Sequence, residues 1–167
     1  MANNYLEQLV TEWYEYQGYF VRRNVLVGKR VMGGYECELD VVGLHPGKSH
    51  LVHIEPSMDC YKWEKREQRL TKKFKAGRKY VPALFQGFKV PKKIEQIALF
   101  VYGSNVNRKT VGGGQVMTIR ELIAQIATTL LGKRLAKDAI PEHMPILRTF
   151  QFTTEYRTAL LSAWGVT

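Results

Sequence analysis

The sequence predicts an α/β protein, a three-layer α/β/α sandwich around a mixed central sheet. Two observations predict it: three runs of β-forming residues joined by short glycine- or proline-containing connections, and helical stripes placed before and after them, the second followed by another strand. The first stripe runs over roughly Asn4 to Gln17, where Leu6, Leu9, Val10, Trp13 and Tyr16 recur every three or four residues; Gly18 stops it. Tyr19 to Val27 is rich in β-formers, and Gly28 to Gly34 has the glycine content of a hairpin loop. In the next strand Tyr35, Cys37, Leu39 and Val41 alternate with Glu36, Glu38, Asp40 and Val42, so the three acids share one face. The turn "HPGK" follows, with Pro46 pre-setting its dihedral and Gly47 tolerating a positive one. On the third strand His53, Glu55 and Ser57 share a face, opposite Val52, Ile54 and Pro56.

Tyr61 to Tyr80 is the most unusual segment by composition. Trp63, Leu70, Phe74 and Gly77 form a narrow helical stripe, and nine cations occupy the remainder: Lys62, Lys65, Arg66, Arg69, Lys72, Lys73, Lys75, Arg78 and Lys79. A strand, "IEQIALFVYG", comes after the basic turn at Pro91 to Lys93. "VGGGQ" reads as a flexible connection, since three glycines without a following Lys-Ser/Thr do not make a phosphate-binding loop. Thr118 opens a capping box, "TIRE", before an amphipathic helix through Leu130, and "TTEYRTALLSAW" reads as a short terminal helix. With 167 residues, 45% of them hydrophobic, one domain is expected, with a core over about 4–104 and a C-terminal helical extension over about 118–167.

The charge balance points to a partner. Twenty-five Lys and Arg against fifteen Asp and Glu leave a formal charge of +10, which favours polyanions, nucleic acid before an anionic membrane surface. The opening "MANNYLEQLV" lacks a basic segment followed by an apolar run, and no stretch is apolar enough to span a bilayer. A cytoplasmic protein without a membrane partner is expected. Cys37 and Cys60 are too few for a disulfide framework or a zinc cluster and read as free thiols.

A helix bearing a glutamate, "ELD" on one strand, "HIEPS" on the next, then a basic helix and another strand: over roughly Tyr5 to Tyr102 this order resembles the PD-(D/E)XK, or restriction-endonuclease-like, nuclease superfamily. Within it the chain is most similar to small Holliday-junction resolvase-like and Mrr-like members, which carry "GY" after the first helix as Gly18-Tyr19 does here. The resemblance implies a restriction-endonuclease-like fold and a Mg²⁺- or Mn²⁺-dependent endonuclease. It implies Asp40 and Glu55 as metal ligands, the carbonyl of Pro56 as a third, and Glu7 as the helical acid, with Glu12 its substitute. The chemistry agrees, because Mg²⁺ binds through one or two carboxylates while keeping waters and phosphate oxygens. Such an ion orients the scissile phosphate and acidifies its bound water.

The sequence departs from the family at Ser57, where a lysine is expected. A hydroxyl can hydrogen-bond but brings no charge to the phosphate. Lys62, at the start of the basic helix, is the candidate to reach back and replace it, with Lys65 the second choice; His53 is a further polar neighbour. Lys65, Arg66, Arg69, Lys72 and Lys73 are the expected phosphate contacts, on double-stranded or branched DNA. Each feature has a plainer reading: acids on a solvated strand face, a helix charged for solubility, a histidine that is hydrogen-bonded structure. Two other functions compete with the nuclease, a catalytically weak or inactive relative that binds nucleic acid and a basic membrane- or protein-binding module. Cutting both strands of a duplex calls for two sites, so a homodimer is expected.

Overall fold

The computed structural model describes residues 4–166 and divides the chain into two compact units, one ending at Ile119 and one beginning at Arg120. The first unit contains helix α1 (Tyr5–Tyr16), strands β1 (Phe20–Lys29), β2 (Tyr35–His45) and β3 (His50–Ser57), helix α2 (Trp63–Leu84), and strands β4 (Ile94–Phe100), β5 (Thr110–Val111) and β6 (Gly114–Thr118). Its sheet is six-stranded, open and mixed, in the order β1-β2-β3-β4-β6-β5. β1, β2 and β3 run antiparallel, β4 lies parallel to β3, and β6 lies parallel to β4. Among the described residues the architecture is therefore α/β with six helices, and no helix is long and apolar enough to cross a membrane.

Local sequence accounts for most of these boundaries. The Asn4 side chain accepts the Leu6 amide hydrogen at 3.1 Å and caps α1, which ends as Gly18 adopts a φ of +89°. Leu6, Leu9, Val10 and Trp13 are buried, as the stripe predicts. α2 runs four residues past the expected end at Tyr80, because Pro82 falls in its last turn and does not break it. Its Leu70 and Phe74 pack on Ala98 and Phe100 of the sheet, and its Ala76 and Val81 on Leu39, Val42, Leu44 and Leu51. Burial of each large side chain contributes roughly 1.5–3 kcal/mol.

The "VGGGQ" segment is not a flexible connection. Gly112 and Gly113 adopt φ of +58° and +84° and turn β5 back on β6 as a tight hairpin. A Cβ at Gly114 would meet the Phe74 ring at 2.4 Å, so glycine here also lets β6 approach α2. The run of three glycines hid two short strands whose signal was turn chemistry and not apolar alternation.

The second unit is helical: α3 (Ile119–Leu130), α4 (Leu135–Asp138), α5 (Pro145–Glu155) and α6 (Arg157–Ala163). Its buried side chains include Leu122, Ile126, Leu130, Ile140, Met144 and Leu147. Gln151 accepts the Ile140 amide hydrogen and donates to the Asp138 carbonyl, both at 2.9 Å, which ties α5 to the segment before it. The expected terminal helix is two helices, broken at Tyr156.

Candidate functional site

The acids meet where two strands part. The last paired positions of β2 and β3 at this end are Val41 and Ile54. Beyond them lie Asp40 and Glu55, and the Asp40 amide donates to Glu55 Oε1 at 3.3 Å in place of a ladder bond. The Ser57 carbonyl accepts from Val101 on the β4 side. Strand alternation therefore turns the Pro56 carbonyl to the β2 side, beyond the last paired position. Asp40, Glu55 and Pro56 thus border one opening.

The cation in that opening is Lys73. Its Nζ stands 2.5 Å from Asp40 Oδ1 and also pairs with Glu55 Oε2. Lys62 is exposed at the N-cap of α2, three turns before Lys73 and about 16 Å away along the axis at the usual helical rise. The expected replacement for the family's lysine is corrected accordingly: Lys73 sits beside the acids, and Lys62 and Lys65 stand on the solvent side. A sequence signal existed, since Lys73 is three residues from Leu70 and four from Gly77, on the border of the buried stripe.

Ser57 takes no part in that pair. Its hydroxyl donates to Asp59 Oδ2 and accepts from Arg69 Nη2 at 3.1 Å, while Arg69 Nη1 pairs with Asp59 at 2.7 Å. Arg66, expected on the cationic surface, is buried: it binds the Asp59 carboxylate and the Asp59 and Tyr102 carbonyls, and lies over the Phe100 ring at 4.2 Å. Arg66 and Lys73 are therefore turned inward and Arg69 is half-engaged, which leaves Lys65, Lys72, Lys75, Arg78 and Lys79 exposed on α2. Partial burial pushes Asp59 up, but the bonds from Ser57 and the Tyr61 amide and the charges of Arg69 and Arg66 outweigh it and bring it down to about 2.

Glu7, in the first turn of α1, lies within electrostatic reach of Asp40 and Lys73. Burial and the charge of Asp40 raise its pKa, and Asn4 Nδ2 donates to its Oε1 at 2.6 Å. Glu12 is buried and accepts from Gln8 at 2.9 Å. Burial, then the Glu55 charge, push Asp40 up to about 7 despite Lys73. Burial also raises Glu55, with Lys73 opposing; on Lys73 itself burial is outweighed by the two acids and its pKa rises.

No cluster of three or more His, Cys, Asp and Glu suited to a metal occurs among the described residues. The pair nonetheless fits a hard divalent cation. Two carboxylate oxygens converge on one positive centre, the Lys73 ammonium, and Asp40 keeps a raised pKa that more positive charge would relieve. A cavity of about 460 Å³ lies elsewhere, at the start of β3 and β4 around His50, Glu95 and Gln115. The acids lie instead at the open strand edge beside α2. No family model matches the chain and no curated protein matches it.

Proposed function

We propose that the protein is a divalent-metal-dependent endonuclease acting on DNA, with the restriction-endonuclease-like fold that its motif order implies. The observation that carries this reading is the convergence of Asp40, Glu55 and Lys73 at the end of the β2–β3 ladder. It supplies two acids and a cation on a chain whose strand motif lacks the lysine. Support also comes from the element order α1-β1-β2-β3-α2-β4, which follows the order of the motifs.

In this reading Asp40, Glu55 and the Pro56 carbonyl hold Mg²⁺ or Mn²⁺, which when bound supplies Lewis acidity toward a phosphodiester and its attacking water. Lys73 replaces the strand lysine from the helix: its ammonium holds a water near the acids and offsets charge developing on the phosphate. Glu7 adds a carboxyl near Asp40. Ser57 shapes the end of β3 through Asp59 and Arg69, and the exposed lysines of α2 receive the DNA backbone.

The decisive experiment is incubation with linear, nicked, branched and single-stranded DNA and with RNA, in Mg²⁺, Mn²⁺ or chelator. Cleavage of DNA that needs metal and is abolished by Asp40→Ala and by Glu55→Ala, with DNA binding retained, is expected. No cleavage of any substrate with retained binding would replace it with the binding-only reading, and cleavage that persists in chelator would remove the metal from the reaction. Simultaneous replacement of Lys65, Lys72 and Lys75 by alanine is expected to lower the slope of log K against log salt by about 2.7, three phosphate contacts at about 0.9 each. An unchanged slope puts the DNA surface elsewhere.

A further inference from the structure

A chain of donors whose His53 and Gln96 members are buried ends on the other oxygen of Glu55. His53 is fully buried, edge-on to the Phe74 ring at 5.3 Å, and its Nε2 is 2.7 Å from Glu55 Oε1. Its Nδ1 is 3.2 Å from Gln96 Nε2, which also donates to the Phe74 carbonyl at 2.8 Å. Gln96 Oε1 accepts from Arg78 Nη1 at 2.5 Å.

These contacts leave one arrangement of protons. A guanidinium only donates, so the carbonyl end of the Gln96 amide faces Arg78 and its NH₂ end faces His53. An amide nitrogen cannot accept, so His53 Nδ1 carries the lone pair and the single ring proton of the neutral imidazole sits on Nε2, aimed at Glu55. Donation therefore runs from Arg78 through Gln96 and His53 to Glu55 Oε1. That oxygen also receives the Asp40 amide, which leaves Oε2 for the cation. Close approach of the helix makes this possible: a Cβ at Gly77 would lie 2.2 Å from His53 Nδ1, so only glycine lets α2 close over the ring.

We propose that His53, locked as its Nε2–H tautomer by Gln96 and Arg78, is a positioning residue that holds Glu55 with Oε2 turned toward the metal. The proposal rests on the metal-site reading above and adds to it the element that orients the ligand. Outer partners of this kind commonly change metal affinity by 10–100-fold when removed.

The test combines imidazole ¹⁵N NMR of the wild-type protein with calorimetric Mn²⁺ titration of wild type, His53→Leu, His53→Gln and Gln96→Met. The spectrum is expected to report the Nε2–H tautomer. His53→Leu is expected to weaken Mn²⁺ binding by roughly 10–100-fold. His53→Gln, whose terminal amide nitrogen can reach Glu55, is expected to recover most of it, which a loss of packing alone would not allow. If His53→Leu does not fold, Gln96→Met carries the comparison, with binding weakened by at least about threefold as the tautomer is freed. The Nδ1–H tautomer, or variants that bind Mn²⁺ as wild type does, would overturn the proposal while leaving the metal site standing. Wild-type protein that takes up no Mn²⁺ would overturn the metal reading, and this inference with it.

Discussion

Replacement of Lys73 by methionine is expected to lower the rate of metal-dependent DNA cleavage by about 10²–10³-fold, the usual effect of removing a preorganised charge beside a developing oxyanion. Methionine keeps the length and apolar stem of the side chain and removes the ammonium that touches both Asp40 and Glu55. Lys62→Ala is expected to leave the single-turnover rate within about twofold, because Lys62 is exposed at the helix N-cap some three turns from the acids. Mn²⁺ should bind Lys73→Met more tightly than wild type, since the ion no longer competes with an ammonium for the same two oxygens. Ser57 shares a strand face with Glu55, so Ser57→Lys in the Lys73→Met background is expected to restore about tenfold of the lost rate. Single-turnover cleavage at saturating metal checks all three variants. An active Lys73→Met would reduce Lys73 to a structural ion pair, and an inactive Lys62→Ala would return the catalytic cation to the start of α2.

The second large effect is on stability and follows from Asp40. Burial, and then the charge of Glu55, hold its folded pKa at about 7, against 3.8 for the ordinary carboxyl. The folded state therefore binds the proton more tightly than the unfolded state, and this contribution to stability is fully present below about pH 4. It is lost as the pH rises toward 7. Its full size is about 4 kcal/mol at 1.36 kcal/mol per pH unit. Asp40→Asn removes the titration, so its stability relative to wild type is expected to improve by up to that amount between pH 4 and pH 7. Urea denaturation at intervals across that range measures it. Saturating Mn²⁺ should abolish the difference in pH dependence, because the ion favours the ionised carboxylate. Parallel stability curves for the two proteins would show that Asp40 is not crowded in the way its surroundings imply.

Much of the fold was legible because its signals are local. The stripe from Leu6 to Trp13, the alternation through Leu39 and Asp40, the stop at Gly18 and the narrow stripe through Leu70 and Phe74 each lie within one element, and the structure buries or exposes these residues as the periods predict. β5 and β6 were illegible for the opposite reason: two and five residues long, they exist because Gly112 and Gly113 turn and because Gly114 fits under Phe74, a contact some 40 residues distant in sequence. α2 also runs past its expected end at Tyr80 to Leu84, with Pro82 inside its last turn.

By itself the sequence determined the two acids and their separate strands, because a period of two assigns side chains to faces without any knowledge of what covers them. It also determined that α2 is cationic. Only the tertiary structure decided which of nine cations stands beside the acids, since all nine lie along one helix and its N-cap, and the packing of that helix against the sheet selects among them. Leu70, Phe74 and Gly77 fix that angle, and it carries Lys73 to Asp40 and Glu55, turns Arg66 inward to Asp59, and leaves Lys62 in water. The partners of His53 were decided in the same way: its contacts come from β3, β4 and α2, and three elements distant in the chain meet there because the side chain at position 77 is a hydrogen.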